Sequence, residues 1–93
     1  MVEIAKSIRV TGRVQGVGFR WMTKRVADQL KIRGFVQNRL DGSVYIEAKG
    51  PAVNMAKFTA AIKASPTPSG RVATYEEHLL TKDFPMREFK VTF

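Results

Sequence analysis

One side chain stands where chemistry could be done: Arg20, at the end of a glycine-rich turn. The stretch VTGRVQGVGFR, Val10 to Arg20, holds three glycines and two arginines and no acidic residue. Glycine allows the positive-φ conformations that aim successive backbone amides into one concavity, and it removes the Cβ that would hold a ligand off. A helix beginning just after such a turn adds unpaired amides carrying about half a positive charge. Phosphate suits that setting. The amides of Gln15, Gly16, Val17, Gly18, Phe19 and Arg20 would bind it, while the Arg20 guanidinium would fork two of its oxygens. The spacing is not a Walker A loop, since no Gly-Lys-Ser/Thr follows, nor a dinucleotide fingerprint, since Trp21 stands where a third glycine belongs. On glycine spacing alone, a phosphate cradle and a purely structural turn stand level.

The Asn38 carboxamide can both donate and accept a hydrogen bond. Its plainer reading is a polar cap before a hairpin. Other residues offer less. His78 is the single histidine and there is no cysteine, which excludes a histidine or thiolate metal cluster and any disulfide. On a half-exposed strand, His78 reads as a surface or packing residue. Glu76, Glu77 and Asp41 read as solvated or turn residues, and Asp28 as a polar helix residue with no assigned partner. Phe19 reads as core and Trp21 as a partly exposed pocket wall. Gln15 reads as a source of a loop amide, not of side-chain chemistry.

The elements that would position these groups follow from periodicity. Ser7 to Val14 alternates as a strand, with Ile8 and Val10 on one face and Arg9 and Thr11 on the other. From Phe19 the period becomes helical, with Phe19, Met22, Val26 and Leu30 as the apolar stripe and Lys24, Arg25, Asp28 and Lys31 opposite, ending near Lys31. Gly34 to Arg39 is a second strand, and Asp41-Gly42 supplies a hairpin turn into Ser43 to Lys49. If Val36 packs under the helices, Asn38 shares its face. Gly50-Pro51 leads into a second helix marked by Met55, Phe58 and Ile62, stopped by the turn-rich Ser65 to Gly70. Arg71 to Leu80 is a less regular strand, and Phe89, Val91 and Phe93 alternate as a short last one. The order β-α-β-β-α-β with an extra C-terminal strand predicts an α+β, ferredoxin-like sandwich: one antiparallel sheet with both helices on one face.

The 93 residues fit one domain with a single core, spanning 1–93. A formal charge of +8 favours anionic partners such as phosphorylated metabolites, nucleic acid or an anionic membrane, without choosing among them. The opening residues lack the apolar stretch of a signal peptide, and no run approaches the roughly 18 apolar residues of a membrane span. The default location is therefore the cytoplasm.

The run GRVQGVGFR, followed by RGFVQNRLDGSV from Arg33, closely resembles the acylphosphatase signature. The resemblance extends over nearly the whole chain, through the element order, the KGP before the second helix and the final Phe93. It implies hydrolysis of carboxyl-phosphate anhydrides to a carboxylate and inorganic phosphate, with no metal or other cofactor. It also implies that Arg20 binds the phosphoryl group and that Asn38 positions the attacking water. The chemistry agrees with those types. A carboxylate departs without protonation, and phosphoryl transfer rewards positioning and charge stabilisation over covalent help. With no acid–base residue poised, the substrate's own phosphate is expected to take the water's proton. The partners implied are a small acyl phosphate and inorganic phosphate, with no specific nucleic acid, no membrane, and a monomeric protein.

Two other classes compete. Arg33-Gly34-Phe35-Val36 begins like an RNA-recognition signature but fails after Phe35, although Phe35 and Tyr45 could both point outward as a stacking surface. A regulatory module could use the same turn and Arg20 to sense a phosphorylated ligand without turnover.

Overall fold

The computed structural model describes residues 2–92, so Phe93, expected on the last strand, lies outside the described residues. The chain runs β1 (Glu3–Arg13), α1 (Phe19–Gln29), β2 (Arg33–Asn38), β3 (Val44–Pro51), α2 (Ala52–Lys63), β4 (Arg71–Leu79) and β5 (Phe89–Thr92). The strands form one sheet in the order β4-β1-β3-β2-β5. This is the expected α+β sandwich with an additional edge strand.

The sheet is mixed rather than wholly antiparallel. β4, β1, β3 and β2 pair antiparallel, whereas β5 runs parallel to β2, with Val36 opposite Val91. The cause is where the chain crosses. β4 finishes with Leu79 opposite Lys6, at the end of the sheet where β2 begins, and Phe89 enters opposite Gly34. A strand entered there must run in the direction of β2. Lys82, on the crossing segment, pairs with Glu47 on the face of β3 away from Ile46 at 3.1 Å, which ties the crossing to the sheet's open side.

Alternation along β1 and β3 places Ile8, Val10, Val44, Ile46 and Ala48 in the core, with Val36 of β2 beside them. α2 buries Met55, Phe58 and Ile62 as its spacing predicts, together with Thr59. α1 departs from its expected stripe. Its buried line is Phe19, Thr23 and Ala27, while Met22, Val26 and Leu30 are only partly covered. Small side chains at Thr23 and Ala27 let the helix approach the sheet closely, so the larger apolar residues flank that line rather than form it. Phe58 and Phe89 meet edge to face at 6.0 Å, joining α2 to β5 through the core.

The β2–β3 hairpin is braced by Asp41. Its carboxylate accepts from Ser43 Oγ at 2.6 Å, from the Ser43 backbone N–H at 2.9 Å and from Arg9 at 3.0 Å. The Ser43 hydroxyl, then its amide, then Arg9 hold the Asp41 carboxyl well below the usual carboxylate range. A carboxylate with a depressed folded-state pKa adds stability above its unfolded value, and loses it as pH falls toward the folded one. Wild type is therefore expected to exceed Asp41→Asn in urea stability at pH 7, the difference shrinking as the pH drops below about 4. A difference independent of pH across that range would show that ionisation of Asp41 does not brace the hairpin.

Candidate active site

β1, β2 and β5 run in one direction and reach the same end of the sheet, where the turn between β1 and α1 also lies. A pocket of about 240 Å³ opens there. Val14 closes β1 against it, Gly16 and Gly18 give the turn, and Phe19, Arg20 and Trp21 give the first turn of α1. Asn38 and Val91 complete it from β2 and β5.

The turn owes its shape to its glycines. Gly16 and Gly18 have φ of 73° and 79°, in the left-handed region that other residues avoid. A Cβ at either position would meet no protein atom within 4 Å, so protein packing does not require glycine there. Backbone conformation does. Gly18 is also the N-cap of α1, which has no side chain capping its amides and no acidic residue in its first turn. The positive end of α1 thus faces the pocket with no acidic residue in the helix's own first turn.

Arg20 is held from below. Its Nη1 donates to the Thr92 carbonyl of β5 at 2.8 Å, and the Thr92 hydroxyl donates to the Val36 carbonyl of β2 at 3.2 Å. Lys24, one turn on, donates to the Phe89 carbonyl at 3.0 Å and pairs with Asp28 at 2.9 Å, supplying the partner the sequence did not reveal. Asn38 lies on the Val36 face of β2, and its Oδ1 is buried with no protein hydrogen-bond partner. A buried acceptor without a protein partner is uncommon and costs free energy unless something else satisfies it.

The expected residues divide between two positions. Gly16, Gly18, Phe19, Arg20 and Asn38 line one pocket, whereas Gln15 and Val17 do not line it. Phe19 lines the pocket although the residue is buried in the core. Gln15 has a side-chain role that the sequence did not suggest. Its Nε2 donates to the carbonyls of Arg39 and Ser43 at 2.8 and 2.9 Å, lashing the turn to the hairpin that follows Asn38. The Val17 carbonyl accepts from Thr67 Oγ1 at 3.2 Å, so the turn-rich segment after α2 braces the opposite side. No local pattern marks Thr67, Thr92 or the Gln15 amide as neighbours of the pocket.

The open face of the sheet offers little to stacked bases. Phe35 and Tyr45 do face outward with ring centroids 6.0 Å apart. However, the Arg39 guanidinium already covers the Tyr45 ring at 4.3 Å, and the Tyr45 hydroxyl donates to Glu47 at 2.7 Å. Among the described residues no three His, Asp or Glu side chains gather as a metal site, and no helix is long and apolar enough to cross a membrane.

Fold and pocket together define a ferredoxin-like α+β sandwich with a site at its first strand–helix turn. The acylphosphatase family profile matches residues 6–91. An acylphosphatase of Lacticaseibacillus paracasei is 57% identical over 93 residues, 99% of each chain. The crystal structure of acylphosphatase from Bacillus subtilis superposes with a TM-score of 0.91 at 34% identity, covering 97% of this chain and 99% of that one. Full-length HypF, in its phosphate- and nucleotide-bound form, matches with a TM-score of 0.89 at 27% identity, over 99% of this chain and 12% of its own length. The chain belongs to the acylphosphatase family.

Proposed function

We propose that this chain hydrolyses carboxyl-phosphate anhydrides, with the β1–α1 turn and Arg20 holding the phosphoryl group and Asn38 holding the attacking water. The water oxygen forms a bond to phosphorus, and the bond from phosphorus to the carboxylate oxygen breaks. The carboxylate leaves with that electron pair, and the proton released by the water passes to a phosphoryl oxygen, giving a carboxylate and inorganic phosphate. The amides of the β1–α1 turn and the guanidinium would balance the charge on the phosphoryl oxygens, so the site is read as working without a metal.

The observation that carries this reading is the buried, protein-unpartnered Asn38 Oδ1 in the same pocket as the glycine turn and Arg20. A water donating to that oxygen would satisfy it and present a lone pair to a phosphorus held beside it. Residues 1–93 are read as one catalytic domain of a monomeric, cytoplasmic enzyme.

The test is hydrolysis of benzoyl phosphate in excess chelator. Turnover far above buffer is expected; phosphate binding without turnover would make the chain a ligand sensor instead. Arg20→Lys retains the charge but loses the two-pronged fork. It is expected to lower kcat/KM by roughly ten- to a hundred-fold and to weaken inhibition by phosphate. Unchanged phosphate inhibition in that variant would remove Arg20 from the phosphoryl site.

A further inference from the structure

The acyl phosphate reading leaves one part of the substrate without a partner. The turn and Arg20 take the phosphoryl oxygens and Asn38 takes the water, but none of them meets the acyl group. Five large apolar side chains are exposed among the described residues, Val2, Trp21, Leu40, Val53 and Leu79, and of these Trp21 is the one that lines the pocket.

Trp21 is 60% exposed although it sits in an amphipathic helix. Consecutive helix positions point about 100° apart, so Arg20 reaches inward to Thr92 while Trp21 turns outward from the same helical turn. The side of α1 that meets the sheet is Phe19, Thr23 and Ala27, and Trp21 is not on it. Val91 of β5 adds a second apolar residue to the pocket lining. An indole is large, flat and stiff, and an aromatic group packs well against such a face. Its backbone is fixed by the first turn of α1, so little ordering is needed when a ligand arrives.

Resting on the acyl phosphate reading, we propose that Trp21 is the platform for the acyl group, so that the enzyme favours acyl phosphates with a flat, apolar acyl group over a bare acetyl group. Phosphate recognition is common to all acyl phosphates. Discrimination among them therefore falls to whatever touches the carbon skeleton.

Two measurements test this. In the first, kcat/KM is compared for benzoyl and acetyl phosphate in wild type, Trp21→Ala and Trp21→Phe. Trp21→Ala is expected to lose roughly five- to twenty-fold on benzoyl phosphate, chiefly through KM, and less than about two-fold on acetyl phosphate. Inhibition by inorganic phosphate stays at the wild-type level, and Trp21→Phe restores most of the benzoyl preference. Equal losses on both substrates, or no loss on either, would overturn the platform. In the second, the folded wild-type protein is titrated with benzoylphosphonate and with acetylphosphonate, reading the fluorescence of its single tryptophan. Benzoylphosphonate should change the emission much more than acetylphosphonate, and an equal response would overturn the proposal. If wild type hydrolyses neither phosphate, the acyl phosphate reading fails, while the titration still decides whether Trp21 receives a flat apolar group.

Discussion

Asn38→Ala is expected to lower the turnover of benzoyl phosphate by roughly 10²–10³-fold, the usual loss when one preorganised polar group leaves an active site. Inhibition by inorganic phosphate should stay near wild type, because the proposed phosphoryl contacts come from the turn and Arg20. The asymmetry follows from position. Asn38 reaches the pocket from β2, whereas the glycine turn and Arg20 reach it from β1 and α1. The Gln15 bridge bonds to the Arg39 backbone and not to the Asn38 side chain, so removing the carboxamide leaves the turn tied to its hairpin. Asn38→Asp provides a second arm. It keeps the shape but places a negative charge beside an anionic substrate, so it should impair both turnover and phosphate binding. Turnover in Asn38→Ala within about three-fold of wild type would be too small a loss for a preorganised group and would remove Asn38 from water positioning.

Gly34→Ala is expected to have the largest effect on stability. Gly34, the second residue of β2, has φ of 145°, and a Cβ there would lie 1.8 Å from the Glu47 carbonyl oxygen of β3 and 2.8 Å from its carbon. The clash is with backbone, which cannot swing aside as a side chain can. β2 must separate from β3 locally, and with it the Gly34 amide bond to the Glu88 carbonyl at 3.0 Å that admits β5. Backbone strain and overpacking together suggest a loss of roughly 3–5 kcal/mol. In a domain of this size that lowers Tm by roughly 15–30 °C. Gly42→Ala is the control, because Gly42 also has a positive φ, 91°, but its added Cβ would meet nothing within 4 Å. Far-ultraviolet melting curves would decide, and a Gly34→Ala melt as mild as that of Gly42→Ala would contradict the close approach of β2 and β3.

What could be read from the sequence was local. Alternation located β1 and β3, Asp41-Gly42 located the hairpin, and the helical offsets of Met55, Phe58 and Ile62 identified the buried side of α2. Parity placed Asn38 on the face of Val36, which the pairing of β2 with β3 bears out. The misses were of two physical kinds. Large apolar residues drew the α1 stripe toward Met22, Val26 and Leu30, but small residues decide how closely a helix can approach a sheet, and the buried line passes through Thr23 and Ala27. The remainder were bonds between distant residues: Gln15 with the hairpin carbonyls, Thr67 with Val17, and Arg20 with Thr92. None leaves a repeat or an alternation in the chain. The direction of β5 belongs to the same kind, because it depends on which end of the sheet the crossing segment reaches.

With Arg20 in its proposed role, the hold of Thr92 on it makes catalysis a report on the completeness of folding. That bond joins positions 72 residues apart, through an edge strand of four residues. Phe89 anchors one end of the strand in the core, while Thr92 stands at the pocket end. Short edge strands open at far smaller free energy than whole domains. A molecule whose β5 has frayed past Phe89 would keep its helices, its buried core and its spectroscopic signature of a native protein. It would lose a carbonyl that the guanidinium bonds, so, on the proposed role of Arg20, the population able to bind phosphoryl groups is smaller than the population that is folded, by the fraction of time that one strand end spends undocked.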